Sequence, residues 1–571
     1  MKKYSRLRLI ALMMSLFLAQ TGYLKPSIDA TRVSQLVKNT LPELTPSSRN
    51  PYSNNRRVFT ITDTKDASMS LHAIASSPYI KSAEFRFNGD KTLLIQNPFA
   101  HQSFNVVDIH HFVKPGQNTL QLVSINGINL EKISDYDQLP HLEINIPYPT
   151  LQPASPQDVS TFSTKMLKKI DAIIDNDVAH GFGGAVLLVI HNGKIIKATP
   201  YGYRDTFRKS CTTDQNHQLK SNCLLPHSKR IPMTLDTVFD LASLTKMYAT
   251  NFALMKLVYE GKLDVDKPVV DYIPDFPYED ITVRQVAEHT AGFAPEVLFY
   301  DPDKAGKLYS QNRQQTIDFL TGANHSGLNP DHLVVPRAYQ PGVKHIYSDT
   351  DYMLLGTVIE SITGLKLDHY VENEIYKPLG LSDITFNPLA AGIDLHRIAQ
   401  TAVGNWADVP YPNLRTTPIQ GEVQDEKSYY SMNGISGHAG LFGTAHDLAI
   451  LIQVLLNGGG YGNVKLFDQK TIDLFTKPSD NDETYGLGWR RSGTELNYRA
   501  ILGAYSSNLA YGHSGFTGMV TLIDPKYNLG IILLTDRLQS QQLSKAAFQS
   551  NIDYITPNYG NIITLVESAL L

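Results

Sequence analysis

Two apolar hairpins at opposite ends of a long region do most to limit how this chain folds. In the first, the continuous apolar run Ala185 to Ile190 is turned back by Asn192-Gly193 into Lys194–Ala198. In the second, Met519–Ile523 passes through a turn around Pro525–Asn528 into Leu529–Thr535. A strand that is apolar on both sides is buried on both faces, so helices are expected on each side of this sheet. Helical spacing supplies them. Phe162, Met166, Leu167, Ile170, Ile173 and Ile174 share a face before the first hairpin, and Ile562, Ile563, Leu565, Val566, Ala569 and Leu570 do so after the second. The middle, from about 243 to 460, is helix-rich. The expected architecture is α/β: an antiparallel sheet flanked by helices, plus an all-α lobe.

What precedes this region is different. Lys2, Lys3, Arg6 and Arg8 lead into the apolar run Leu9 to Ala19, broken only by Ser15. That is the build of a secretory signal, and it is short of the roughly 20 apolar residues of a comfortable membrane span. The cleavage site is poor, so 1–22 reads as a signal peptide or an uncleaved membrane anchor. Export is expected in either case: periplasmic or inner-membrane anchored, and secreted if the signal is cleaved. Residues 23–55 are a polar lead-in. From 56 to 147 the pattern is strands. Phe85-Arg86-Phe87 runs into the turn dipeptide Asn88-Gly89, and Thr92–Ile95, Thr119–Ile125 and Leu142–Ile146 follow, which suggests a small all-β sandwich. Pro147, Pro149, Pro153 and Pro156 then mark an extended linker over 148–156, with the region of the two hairpins at 157–571.

Composition excludes more than it assigns. The 571 residues carry 51 Lys+Arg against 55 Asp+Glu, a net charge of −4, which is no footprint for nucleic acid. Two cysteines make neither a disulfide framework nor a Cys-rich metal site. Cys211 and Cys223, in a polar segment that reads as a surface loop, either close a short loop outside the cytosol or stay as two thiols. No H-E-x-x-H, C-x-x-C or G-x-x-x-x-G-K-[ST] occurs, and neither a metal nor a cofactor is expected.

The chemistry gathers at three places. Ser243-Leu244-Thr245-Lys246, the only S-x-x-K in the chain, opens the apolar segment Met247 to Tyr259. Helical spacing sets Ser243 and Lys246 one turn apart on one face. A serine hydroxyl needs an adjacent base to become a nucleophile, and a lysine with a lowered pKa can be that base. Tyr347-Ser348-Asp349 precedes a helix from Asp351 to Gly364, and His513-Ser514-Gly515 opens the strand Phe516–Ile523. Glu288-His289-Thr290 offers an acid–base pair but reads as a structural turn.

The order Ser-x-x-Lys, Tyr-x-(Asn/Asp), (Lys/His)-x-Gly resembles the penicillin-recognising serine enzymes, in the class C β-lactamase and D-alanyl-D-alanine carboxypeptidase family. Lys246–Leu254, Lys344–Asp349, Ser436–Phe442 and Leu456–Leu466 resemble the 4B branch of penicillin-binding proteins. The resemblance implies a β-lactamase/transpeptidase-like fold, with Ser243 as acylated nucleophile and Lys246 and Tyr347 sharing the proton shuttle. It implies an oxyanion hole from the Ser243 and Phe516 N–H groups. Asp349, His513, Ser514 and Gly515 would join Phe516 in binding substrate. The implied substrate is a peptidoglycan stem peptide, with β-lactams as covalent ligands and D-alanyl-D-alanine carboxypeptidase activity. An esterase, a weak β-lactamase or a non-turnover cell-wall-binding protein on the same scaffold stay open.

Two departures from the family pattern matter. Asp349 stands where Asn is usual, and a carboxylate there favours a charged Lys246, which moves the base towards Tyr347. His513 stands where β-lactamases carry Lys, which favours a peptidase. An ordinary histidine pKa of about 6.5 predicts pH-sensitive substrate capture at His513. Further upstream, Asn105–Leu120 resembles the signature of galactose-binding-like jelly-roll modules, a resemblance that implies a β-sandwich and permits, without requiring, contact with carbohydrate or cell wall.

Overall fold

The computed structural model describes residues 56–570 except 62–66, 74–79, 97, 99–103, 131–141, 146, 214–218, 221–222, 406, 408–409, 493–500, 541 and 545–546. The expected signal or anchor at 1–22 and the polar lead-in at 23–55 lie outside the described residues. Two compact units divide the rest: 68–108 with 120–146 in one, and 147–571 with the short segments 58–67 and 109–119 in the other. Among the described residues no helix is long and apolar enough to cross a membrane.

The first unit is all-β. Ser82–Phe87 pairs antiparallel with Lys91–Gln96 and with Gly116–Ile125, while Ser68–Ala73 pairs with Phe104–Asp108 and Leu142–Asn145. Period-2 burial puts Ala83, Phe85 and Phe87 inside, with Met69 and Leu71 buried from the other sheet. Asn88 and Gly89 turn the first hairpin at φ +52° and +88°.

In the second unit the two hairpins meet in one sheet. The flanking helix α1 (Thr164–Ala179) leads into β1 (Gly184–His191) and β2 (Lys194–Asp205). Later come α2 (Phe252–Tyr259), α3 (Asp349–Thr363), α4 (Ala445–Leu456), β3 (Arg490–Arg491), β4 (Tyr511–Gly515), β5 (Met519–Asp524), β6 (Leu529–Thr535) and α5 (Tyr559–Leu570). The sheet order is β2-β1-β6-β5-β4-β3, antiparallel throughout, with Ile231–Pro232 beyond β2. Gln152–Pro153 of the proline-rich segment adds to β2 in parallel, so the linker ends as an edge strand.

Alternation along β1 builds two cores. Ala185, Leu187 and Val189 face one way, with Ile170 and Ile174 of α1 and Ile562, Ile563 and Val566 of α5. Val186, Leu188 and Ile190 face the other, with Ile450 and Val454 of α4 and the helix-rich lobe that holds α2 and α3. Helices thus cover both faces, as the apolar run requires. One expectation is corrected: His513-Ser514-Gly515 does not open the strand at Phe516 but ends a strand of its own, β4, because Gly518 N–H bonds back to the Gly515 carbonyl and turns the chain into β5. Cys211 and Cys223, both buried, form a disulfide.

Candidate functional site

The turn that presents Ser243 is held by a buried carboxylate. Asp240 Oδ1 accepts from Ala242 N–H at 2.9 Å and Oδ2 from Gln424 N–H at 2.6 Å, while its carbonyl accepts from Thr517 Oγ1 at 2.7 Å. Burial pushes the Asp240 carboxyl up to about 6 against those backbone donors. Between them, Ala242 takes φ +46°, a left-handed conformation that an L-residue adopts only where its surroundings enforce it. β4 passes so close that a Cβ on Gly515 would lie 2.6 Å from the Leu241 carbonyl oxygen. Only a glycine fits this approach at position 515. Just past Ser243, Lys246–Asn251 runs as a π-helical stretch into α2, a widened turn with every residue buried.

Lys246 has spent all its donors. Its Nζ is wholly buried and bonds to Ser243 Oγ at 3.0 Å, Asp349 Oδ1 at 2.8 Å and the His438 carbonyl at 3.2 Å. An ammonium has three N–H groups and no acceptor. Burial works against the charge, but Asp349 and Tyr347 outweigh it and hold Lys246 above its ordinary value. This agrees with the effect expected of Asp349.

A second lysine, which the sequence reading did not find, completes this wall. Buried Lys427 lies 3.0 Å from Glu296, 3.1 Å from Asp425 and 3.3 Å from Asp349. Asp425 in turn meets His438 Nε2 at 2.8 Å, and His438 Nδ1 meets Ser436 Oγ at 2.8 Å. Burial raises the cost of charge on both carboxylates, yet Lys246, Lys427 and His438 hold Asp349, and Lys427 and His438 hold Asp425, well below the usual carboxylate range. Ligand atoms of Asp349, Asp425 and His438 come within 4.8 Å of one another, close enough to hold a metal. Lys246 and Lys427 already supply the positive charge there, and a divalent cation would have to displace them.

The tyrosine motif is set by the start of α3. Ser348 Oγ donates to the Ala294 carbonyl at 2.7 Å, and Tyr347 projects with its ring 4.8 Å from Lys246 Nζ. Behind it lies the His289 ring, tilted by 47° with its centroid 4.6 Å away. Ser348 N–H donates to His289 Nδ1 at 3.2 Å, so that nitrogen is an acceptor, and Asp351 Oδ2 lies 3.0 Å from it. Burial, with Asp349 close by, holds Asp351 well above its usual range, and burial with Lys246 holds His289 well below its own. The pair is neutral. With φ +58° at His289, the segment is the structural turn expected.

The expectation for His513 is overturned. Its ring is 1% exposed, Nδ1 lies 2.7 Å from the Ser514 carbonyl, and burial, Arg490 and Lys246 hold it well below 6.5. A ring held that way favours the uncharged form and is poorly suited to capture a carboxylate by charge. The cation on this side is Arg490, which sequence reasoning missed. β3 pairs Arg490 with Gly512, beside His513, and its guanidinium lies 5.6 Å from the Tyr347 ring and 5.0 Å from that of Tyr485. No carboxylate pairs with it among the described residues.

Ser243, Tyr347, Asp349, His513, Ser514 and Phe516 all line one cavity of about 410 Å³, whose walls also include Lys427 and Arg490. Lys246 stands behind Ser243, and Gly515 behind the strand. Among the described residues neither Ser243 N–H nor Phe516 N–H is taken by an acceptor. The Ser436–Phe442 segment carried a signal for His438. Nothing in the sequence marked Arg490 or Lys427.

The Beta-lactamase family model matches residues 170–553. A Bacillus subtilis (strain 168) protein named "N-acetylmuramyl-L-alanine amidase" is 45% identical over 429 residues, 72% of this chain and 91% of its own. A Salmonella agona (strain SL483) protein named "Putative D-alanyl-D-alanine carboxypeptidase" is 44% identical over 407 residues, 69% of this chain and 88% of its own. Among solved structures, EstCE1, described as a hydrolase with promiscuous acyltransferase activity, aligns at 19% identity with a TM-score of 0.50, over 72% of this chain and 99% of that one. That likeness concerns the fold.

Proposed function

The chain belongs to the Beta-lactamase family, and from that premise we propose that it is a serine D-alanyl-D-alanine carboxypeptidase acting on peptidoglycan stem peptides through an acyl-enzyme on Ser243. In this reading Ser243 Oγ attacks the penultimate D-alanine carbonyl, the peptide bond breaks, and D-alanine leaves. Water then hydrolyses the ester. Lys246, with three donors engaged, orients Ser243 Oγ and keeps positive charge beside it. It has no lone pair for a proton, so Tyr347 receives the Ser243 proton and passes it to the leaving amine. The Tyr347 ring lies beside the Lys246 ammonium, which keeps the proton route next to a fixed positive charge. The Ser243 and Phe516 N–H groups receive the developing oxyanion.

The observation that carries the reading is Arg490. An arginine without a carboxylate partner, in the wall of the nucleophile's cavity, suits a substrate that ends in a free carboxylate. Incubation with a fluorescent penicillin tests the acyl-enzyme: Ser243 in the wild type should label, Ser243→Ala should not, and D-alanine release from a D-Ala-D-Ala peptide should be lost with it. Unlabelled wild type, or release that survives Ser243→Ala, refutes the proposal.

The 45% identical Bacillus relative favours a second reading, cleavage between muramic acid and L-alanine by the same acyl transfer. There the leaving group's carboxylate is already in a peptide bond. Mass analysis of a MurNAc-pentapeptide digest separates the two, since one yields free D-alanine and the other a free peptide. Export to the periplasm or outside rests on the basic-apolar N-terminus and gains support from the buried Cys211–Cys223 disulfide. Cell-wall or carbohydrate contact by the N-terminal strands rests on the Asn105–Leu120 signature, and binding of purified peptidoglycan to the full chain but not to a chain lacking 56–146 is its test.

A further inference from the structure

The last helix and the turn that follows β6 meet the backbone of the oxyanion peptide. Gly515 ends β4, and its carbonyl oxygen accepts two hydrogen bonds, from Gly518 N–H at 2.9 Å and from Tyr559 Oη at 2.8 Å. Tyr559, the first residue of α5, also lines the cavity. A trans peptide directs its N–H opposite to its C=O. Two donors on the Gly515 oxygen therefore fix the direction of the Phe516 N–H, on the far side of the same peptide plane. They also polarise that plane, which makes the N–H a better donor.

The carbonyl on the other side of Phe516 is held as well. Arg537 donates to the Phe516 oxygen through Nη2. Its guanidinium lies 5.2 Å from the Phe516 ring, 5.2 Å from Tyr559 and 5.7 Å from Phe548. Arg537 is 6% exposed and has no carboxylate partner among the described residues. Burying a cation without a counter-charge is costly. The cost is explained if the arginine serves the peptide it touches.

We infer that Tyr559 and Arg537 are positioning residues that clamp the Gly515-Phe516 backbone so that the Phe516 N–H is fixed towards the charge forming at Ser243. The inference rests on the acyl-enzyme reading above. Burial pushes the Tyr559 hydroxyl up, so it remains a donor throughout the neutral range.

Tyr559→Phe removes only the hydroxyl and keeps the ring against which Arg537 lies. Arg537→Lys keeps the charge and loses the planar fork. In the full-length protein, both should lower kcat on p-nitrophenyl acetate, and the rate of labelling by fluorescent penicillin, by about 10-fold. That is less than the 10²–10³-fold loss on removal of an oxyanion donor. KM should stay within about twofold, and the Ki of phenylboronic acid, whose tetrahedral adduct fills the oxyanion position, should rise about 10-fold in parallel. A structural role alone would lower the melting temperature and the active fraction without moving that Ki. Tyr559→Phe with kcat and Ki within twofold of wild type overturns the clamp, and so does a rise confined to KM. Should Arg537→Lys not fold, Tyr559→Phe decides alone. Wild type that neither labels nor hydrolyses the ester overturns the acyl-enzyme reading and the clamp together, whereas labelled wild type with an unaffected Tyr559→Phe overturns the clamp only.

Discussion

The two walls of the cavity handle charge in opposite ways. On the helix wall, Lys246, Lys427, Asp349, Asp425 and Glu296 are matched against one another at 2.8–3.3 Å. On the strand wall, His513 is neutral and Arg490 has no partner. A wall that pairs its charges internally fixes protonation states and has little left for a ligand. A wall that leaves a cation unmatched is prepared to meet an anion. In the proposed reaction the difference places the proton-handling groups on the helix wall and the carboxylate-binding cation on the strand wall.

The strongest way to break this comparison is to unbalance the helix wall. Lys427→Met leaves Asp349, Asp425 and Glu296 with one fewer buried cation, and breaking a buried pair costs about 3–5 kcal/mol. Penicillin acylation should slow roughly 100-fold because Lys246 is then pulled by a more negative neighbourhood, and thermal melting should fall together with it. Unchanged rate and melting would mean that the two lysines act independently.

Next comes Arg490→Met. If the strand wall recognises a carboxylate, loss of a charge-assisted contact worth about 1.5–3 kcal/mol should raise KM for D-Ala-D-Ala peptides roughly 10- to 100-fold. Hydrolysis of an uncharged ester should change little. Equal losses on both substrates would remove Arg490 from recognition and put it with the chemistry.

The smallest effect concerns pH. His513 is held well below 6.5, so kcat/KM should show no histidine limb between pH 5.5 and 8, and His513→Gln should leave the profile's shape intact. Another group in the cavity does titrate there. Burial, reinforced by Asp425, pushes Glu426 up to about 7, so it is neutral below that pH and charged above it. KM for a peptide with a cationic side chain should fall severalfold as pH rises from 6 to 8, and Glu426→Gln should abolish the change. A profile that persists in Glu426→Gln would assign it elsewhere.

Much of this could be read from the chain because the fold obeys short-range rules. Asn192 and Gly193 take φ +51° and +72°, the turn their pairing dictates, and β1 is buried on both faces as its run from Ala185 to Ile190 requires. Ser243, Lys246 and Tyr347 meet as their motifs imply. What stayed hidden is what distant elements bring together. Arg490 gains meaning only because two-residue β3 pairs beside His513, and Lys427 only because its turn folds against α3. His513 carries the same lesson from the other direction. Its residue type promised a titrating switch, but the environment that cancels the switch is made of Arg490, Lys246 and burial, none adjacent in sequence.

The strand order has a consequence for biosynthesis. The partner of β1 in the middle of the sheet is β6, with Leu188 opposite Ile532, so the centre of the domain cannot zip until the chain has been made as far as β6. Until then the first hairpin waits with an open apolar edge, the state in which nascent chains associate wrongly. Any product that stops short of Thr535 lacks that central pairing. Assembly of the cavity thus waits for the late strands, and Ser243, which comes early at position 243, meets Ser514 and Phe516 only once β4 to β6 are in hand.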